Sequence, residues 1–268
     1  MTGTAWHPGR VASAGEDIYF EVFGDDGLPT VMLTHGAGGN HAVWFQQLPA
    51  LTAAGYRVIT WDTRGFGNST YRTGVHGADA AVADMRAILD ETASDAAHLV
   101  GQSMGGWWAT AFTIAHPERV GSLTLCNTVG ALWTDALEAR FRSLPGGADD
   151  EGRRIGRHPA LGRNTDPVRA FLYEQLNTFA EPPLADVVHA LASTRVAHAD
   201  LDATGIPVLV ITGSDDELFP PNLVLDGARR LSHARAVEIA GAGHSAYFEH
   251  PEEFNTTLLS FLSDISSL

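Results

Sequence analysis

Apolar residues along this chain fall into short continuous runs that alternate with longer amphipathic stretches. Ile18–Phe23 alternates in and out, the period of a strand with one wet face, and reads as an edge strand. Thr30–Thr34, Arg57–Trp61, Ala97–Gly101, Ser122–Cys126, Pro207–Thr212 and Ala236–Ile239 are nearly unbroken apolar runs of strand length. Between them, His41–Ala54, Ala78–Thr92, Met104–Ala115, Pro221–Leu231 and Pro251–Leu262 show helical spacing. Strands buried on both faces and separated by helices predict a parallel sheet covered by helices.

One segment breaks this rhythm. From 130 to 204 no strand is predicted, only helical stretches at Trp133–Leu144, Pro167–Phe179 and Leu184–Ala197, separated by Pro and Gly. An insertion of this length in a sheet protein predicts a cap over a site. The expected division is therefore a core of 1–129 with 205–268, and a helical cap of 130–204.

Composition narrows the chemistry. The 17 basic residues are all Arg, against 32 acidic ones, for a net charge of -15. That balance disfavours nucleic acid and anionic membrane as partners. Without Lys there is neither a Schiff-base nor a P-loop lysine. The single Cys126 allows no internal disulfide and no Cys-rich zinc site. The first eight residues have no basic or apolar signal region, and no stretch reaches membrane-spanning length, so the expected location is cytoplasmic.

The sharpest chemical signal is Gly101-Gln102-Ser103-Met104-Gly105-Gly106, a G-x-S-x-G string between a predicted strand and a predicted helix. A tight turn there lifts the Ser103 hydroxyl onto the positive end of the helix. A hydroxyl nucleophile needs a base, and the base an orienting acid. His244, in Gly241-Ala242-Gly243-His244, follows the last predicted strand and is the candidate base. His7, His98, His116, His158, His189, His198 and His233 are placed in helices or at their ends, as surface or capping residues. The acid is expected at a strand end. The 122–126 strand ends in Asn127, which has no carboxylate, so the choice falls on Asp215 or Asp216 after the 207–212 strand. A dinucleotide reading of Gly36-Ala37-Gly38 with Asp62 fails, because position 41 is His, Pro49 interrupts the next helix, and Ser103 and His244 stay unexplained.

With these residues in order Ser-Asp-His, the chain resembles the α/β-hydrolase fold superfamily. The quoted matches are His35-Gly36-Ala37-Gly38-Gly39, Asp62 to Ser69, Gly101 to Gly106, Gly213 to Asp216 and Gly241 to His244. The resemblance is greatest to carboxylesterases and the group similar to 3-oxoadipate enol-lactonase. It implies a mostly parallel eight-stranded sheet flanked by helices, with the cap after the sixth strand. It also implies a serine hydrolase of carboxylic esters or lactones, needing no metal and no organic cofactor, acting on a small molecule.

Residue by residue, the resemblance makes Ser103 the nucleophile and His244 the base. The Gly-x-x-Asp spacing from Gly213 selects Asp216 as the acid. The backbone amides of Ala37 and Met104 become the oxyanion hole. Asp62 and Arg64 are read as turn residues, and Trp107 and Trp108 as packing. Trp44, Phe45 and Trp133 are candidates for the substrate pocket. Within the cap, apolar Leu132, Trp133, Leu137, Phe141, Phe171, Leu172 and Tyr173 suggest an apolar acyl or alkyl pocket. The seven cap arginines, at 140, 142, 153, 154, 157, 163 and 169, are read as solvated. A C–C bond hydrolase and a cofactor-free perhydrolase remain as alternatives, with a non-catalytic ligand receptor more remote. Relatives of the first kind carry Trp after the catalytic His, where this chain has Ser245.

Overall fold

In the computed structural model, residues 5–143, 160–177 and 180–266 are described. Eight strands form one sheet: β1 (Trp6–Ser13), β2 (Glu16–Phe23), β3 (Thr30–Thr34), β4 (Arg57–Trp61), β5 (Ala97–Gln102), β6 (Val120–Cys126), β7 (Val208–Gly213) and β8 (Ala234–Ile239). Their order across the sheet is β1-β2-β4-β3-β5-β6-β7-β8. The pairs β1–β2 and β2–β4 are antiparallel; every other pair is parallel.

The continuous apolar runs are explained by two cores, one on each face. Met32, Ile59, Leu99, Leu123 and Val210 point to one face. Val31, Leu33, Val58, Val100 and Ile211 point to the other. Helices α2 (Ala78–Glu91) and α3 (Met104–Ala115) cover the first face. Helices α1 (Leu48–Ala53), α9 (Ala246–Glu249) and α10 (Pro251–Ser266) cover the second. Between β6 and β7 lie α4 (Asp135–Ser143), α5 (Pro167–Leu176), α6 (Leu184–Ser193) and α7 (His198–Ala203), and α8 (Pro221–Arg229) follows β7. Trp107 and Trp108 are fully buried.

Four expectations are corrected. The edge strand is β1, not Ile18–Phe23, which is β2 and pairs on both sides. β1 escapes periodicity because it is mostly exposed and carries Pro8 and Gly9. The stretch His41–Ala54 is not one helix: a 3₁₀ turn at His41–Trp44 is followed by α1, whose first turn contains Pro49. The long helix at Leu184–Ala197 stops at Ser193, and α7 forms a separate turn. His7 and His98 lie in strands β1 and β5, not in helices. Leu144, Phe179 and His158 fall outside the described residues.

The Asp62–Ser69 turn is a structural knot. The Asp62 carboxylate accepts from the amides of His41 (2.6 Å) and Asn68 (2.7 Å). Arg64 donates two hydrogen bonds to Asp84 on α2, at 2.6 and 2.9 Å, and both side chains are buried. Removing one partner strands the other charge away from water. Asp84→Ala is expected to cost about 3–5 kcal/mol, read from the shift of the urea unfolding curve. A change below about 1 kcal/mol contradicts this structural role.

Candidate active site

The parallel strands bring their C-terminal ends to one edge of the sheet, where α/β folds place ligands. Ser103 stands between β5 and α3 with φ 48° and ψ −118°, a left-handed backbone strained for a residue with a Cβ. The turn survives because Gly101 and Gly105, two residues away on either side, have no side chains. A Cβ on Gly101 would lie 2.5 Å from the Gly105 carbonyl oxygen, and one on Gly105 would lie 2.3 Å from that of Thr34. The Ser103 amide donates to Cys126 O (3.0 Å), and its carbonyl accepts from Thr128 Oγ1 (2.9 Å).

His244 comes from the loop after β8. Its Nε2 is 2.8 Å from Ser103 Oγ, and its Nδ1 is 2.9 Å from Asp216 Oδ2. A carboxylate only accepts, so Nδ1 carries the proton and Nε2 is free to accept from the serine hydroxyl. His244 and Asp216 are 4% and 3% exposed, which keeps this chain of bonds away from competing water. Asp216 is fully engaged. Its Oδ1 accepts from the amides of Leu218 and Phe219, both at 2.9 Å, and its Oδ2 also accepts from Asn127 Nδ2 at 3.0 Å. Asp215 has no such role: its carboxylate accepts from the adjacent Ser214 hydroxyl at 3.2 Å.

The loop after β3 closes the other side. Ala37 is exposed at its tip. Met104 is the first residue of α3, so its amide has no intrahelical acceptor. His35 is buried beneath the loop. Its Nδ1 donates to Gly36 O at 2.8 Å and its Nε2 accepts from the Thr63 amide at 3.1 Å, and burial pushes its pKa down. A neutral His35 thereby ties this loop to the Asp62–Ser69 turn.

The pocket candidates divide. Trp44 is 0% exposed and packs on Tyr247 at 4.5 Å between ring centres, so it offers no surface to a ligand. This corrects its candidacy. The 3₁₀ turn points Trp44 inward, against α9, and leaves the next residue outward. Phe45 is 42% exposed beside Phe248. Trp133 is half-buried under the Arg195 guanidinium, and its indole donates to Thr194 O. Among the cap arginines, Arg140 donates to the Glu217 and Leu218 carbonyls, Arg163 pairs with Glu217, and Arg169 donates to Phe248 and Glu249 carbonyls. Arg153, Arg154 and Arg157 lie outside the described residues, as does the side chain of Arg142.

Sequence reasoning passes over the role of one residue near the site and the contact of another. Asn127 was set aside for lacking a carboxylate. It nonetheless donates to Asp216 Oδ2 and Gly243 O, and accepts from the Ala246 amide. A polar residue closing an apolar strand run was the available signal. Tyr173 on α5 accepts from Ser245 Oγ at 2.7 Å, a contact that no local pattern announces. Among the described residues, no group of three or more His, Cys, Asp or Glu side chains is placed to hold a metal ion. Likewise, no helix there is long and apolar enough to cross a membrane.

Comparison with known proteins identifies the family. The family described as alpha/beta hydrolase fold matches residues 29–185 and 156–251. The chain is 32% identical, over 260 residues, to a 2-hydroxy-6-oxononadienedioate/2-hydroxy-6-oxononatrienedioate hydrolase of Paraburkholderia phymatum, covering 88% of each chain. It is 29% identical to 3-oxoadipate enol-lactonase 1 of Acinetobacter baylyi, covering 94% of this chain and 95% of that one. A thermophilic esterase from Thermogutta terrifontis superposes with a TM-score of 0.80 at 26% identity, over 97% of this chain and 99% of the other. The strand order, the serine at the tight turn after β5 and these matches lead to one assignment: the chain belongs to the α/β-hydrolase fold family and is a hydrolase.

Proposed function

We propose that this hydrolase cleaves carboxylic esters or lactones through an acyl-enzyme on Ser103. The observation that carries the reading is the unbroken chain Ser103 Oγ–His244–Asp216, at 2.8 and 2.9 Å, on a strained turn at a helix N-terminus. His244 Nε2 takes the hydroxyl proton as Ser103 attacks the carbonyl carbon. Asp216 holds the imidazole in the required tautomer and stabilises the imidazolium. The amides of Ala37 and Met104 receive the developing oxyanion; one such donor contributes about 3 kcal/mol. His244 then protonates the leaving alkoxide. Water, deprotonated by the same imidazole, attacks the acyl carbonyl, and collapse of the second tetrahedral intermediate returns the proton to Ser103.

In this reading residues 130–204 cap the site and shape the acyl pocket, with Phe45 and Trp133 as candidate contributors to its walls. The substrate is a small molecule. Similarity to the enol-lactonase and to the esterase supports ester or lactone chemistry. Similarity to the dienedioate hydrolase keeps C–C cleavage as the competing reaction. The test is a panel of p-nitrophenyl esters of rising chain length, with γ- and δ-lactones and a 2-hydroxy-6-oxo dienoate. Turnover of short esters or lactones is expected. Turnover of the dienoate alone overturns the ester reading.

A further inference from the structure

Glu249 is a buried carboxylate that the reaction above does not use. It lies five residues after His244, at the end of α9. Its Oε1 accepts from the Gly243 amide at 2.9 Å, and Gly243 immediately precedes the proposed base. Its Oε2 accepts from the Gly162 amide at 2.6 Å and from Thr165 Oγ1 at 2.5 Å, both on the segment leading into α5. One carboxylate thus holds two backbones that cross.

The crossing is tight because both chains present glycine. A Cβ on Gly162 would lie 2.5 Å from Gly241 O, and one on Gly243 would lie 2.3 Å from the Gly162 nitrogen. With no side chains between them, amides from both strands converge on a single anion, a concave donor set suited to a carboxylate. Three further bonds bind the same elements: Ser245 Oγ to Tyr173 Oη, and Arg169 to the carbonyls of Phe248 and Glu249. On its far side, this region also reaches the loop after β3, where Asn40 Nδ2 donates to Leu176 O at 2.8 Å.

We infer that Glu249 is a positioning residue, which fixes His244 against Ser103 by clamping the His244 loop to the 160–177 segment. This rests on the proposed Ser103–His244–Asp216 chemistry. It gives the inserted segment a share in catalytic geometry in addition to covering the site. An anion is required. A Gln in its place has one acceptor oxygen, and its amide group would face a backbone N–H. Burial pushes the Glu249 pKa up, and the three hydrogen bonds only partly offset this. The charged and titratable groups around it are His250, Tyr247, Tyr173 and Arg169; on the crossing segment, Arg163 pairs with Glu217 and Asp166 caps α5.

The experiment compares wild type, Glu249→Gln and Thr165→Val on p-nitrophenyl acetate. Circular dichroism checks the fold, and the rate of Ser103 phosphonylation by an organophosphonate is followed in parallel. Glu249→Gln is expected to lower kcat by about 10- to 100-fold with KM within about twofold, because a displaced base costs rate more than binding. The phosphonylation rate of Glu249→Gln should fall in parallel with kcat, because both depend on the same base. Thr165→Val, which keeps the carboxylate, should lose about threefold in the same direction, and it serves if Glu249→Gln does not fold. Wild-type kcat and wild-type phosphonylation rate in folded Glu249→Gln overturn the inference and leave the Ser103 chemistry standing. So does wild-type kcat in Thr165→Val if that is the only folded variant. Failure of the wild-type enzyme to react with the phosphonate instead overturns the Ser103 chemistry itself.

Discussion

Ser103→Ala is expected to lower kcat by roughly 10⁴- to 10⁶-fold while the protein keeps its fold. The substitution removes one oxygen from a partly exposed position. The bonds that build the turn are made by backbone atoms of Ser103, to Cys126, Gly106 and Thr128, and these remain. The loss is therefore chemical. What survives is whatever the two oxyanion amides and substrate binding contribute without a nucleophile. Steady-state kinetics on a short p-nitrophenyl ester, with thermal unfolding as control, measures it. A loss below about tenfold would mean that Ser103 forms no acyl-enzyme.

Asp216→Asn is expected to reduce kcat by about 10⁴, and Asp215→Asn by less than about tenfold. Asp216 Oδ2 is what keeps the His244 proton on Nδ1. An amide at 216 presents either an oxygen or an N–H to the ring. The Asn127 donor already directed at Oδ2, and the Leu218 and Phe219 amides directed at Oδ1, leave no good orientation for an NH₂ group. Turning it toward His244 stabilises the tautomer with the proton on Nε2, which cannot accept from Ser103. The Asp215 carboxylate accepts from the Ser214 hydroxyl, and the residue is half-buried. Single-mutant kinetics decide. A crippled Asp215→Asn beside a nearly normal Asp216→Asn would reverse the assignment of the acid.

Much of this architecture was legible because the physics that builds it is local. Parallel strands buried on both faces must be apolar throughout, so β3, β4, β5 and β7 stand out as runs. The tight turn at Ser103 announces itself because only glycine fits at 101 and 105. Strand ends carry the reactive loops, so Gly213 and Gly241 mark where to look for Asp216 and His244. What escaped depends on long-range contact. β1 forms through pairing with β2 along its whole length and buries little, so no periodicity marks it. Whether Trp44 or Phe45 faces outward is set by a 3₁₀ turn that replaces the expected helix. Tyr173 reads from sequence as a member of the cap's apolar set, and its contact with Ser245, 72 residues away, is visible only in the fold. Glu249 resembles an ordinary acid beside a helix start, and only the fold reveals two crossing backbones held by it.

The most direct test of the central claim is covalent. Wild-type protein is incubated with a serine-directed organophosphonate, and the adduct is located by intact mass and peptide mapping. The account predicts one phosphonyl group per chain, on the peptide carrying Ser103, absent in Ser103→Ala and formed far more slowly in His244→Ala. No adduct, or an adduct on any other residue with Ser103 unmodified, would contradict it.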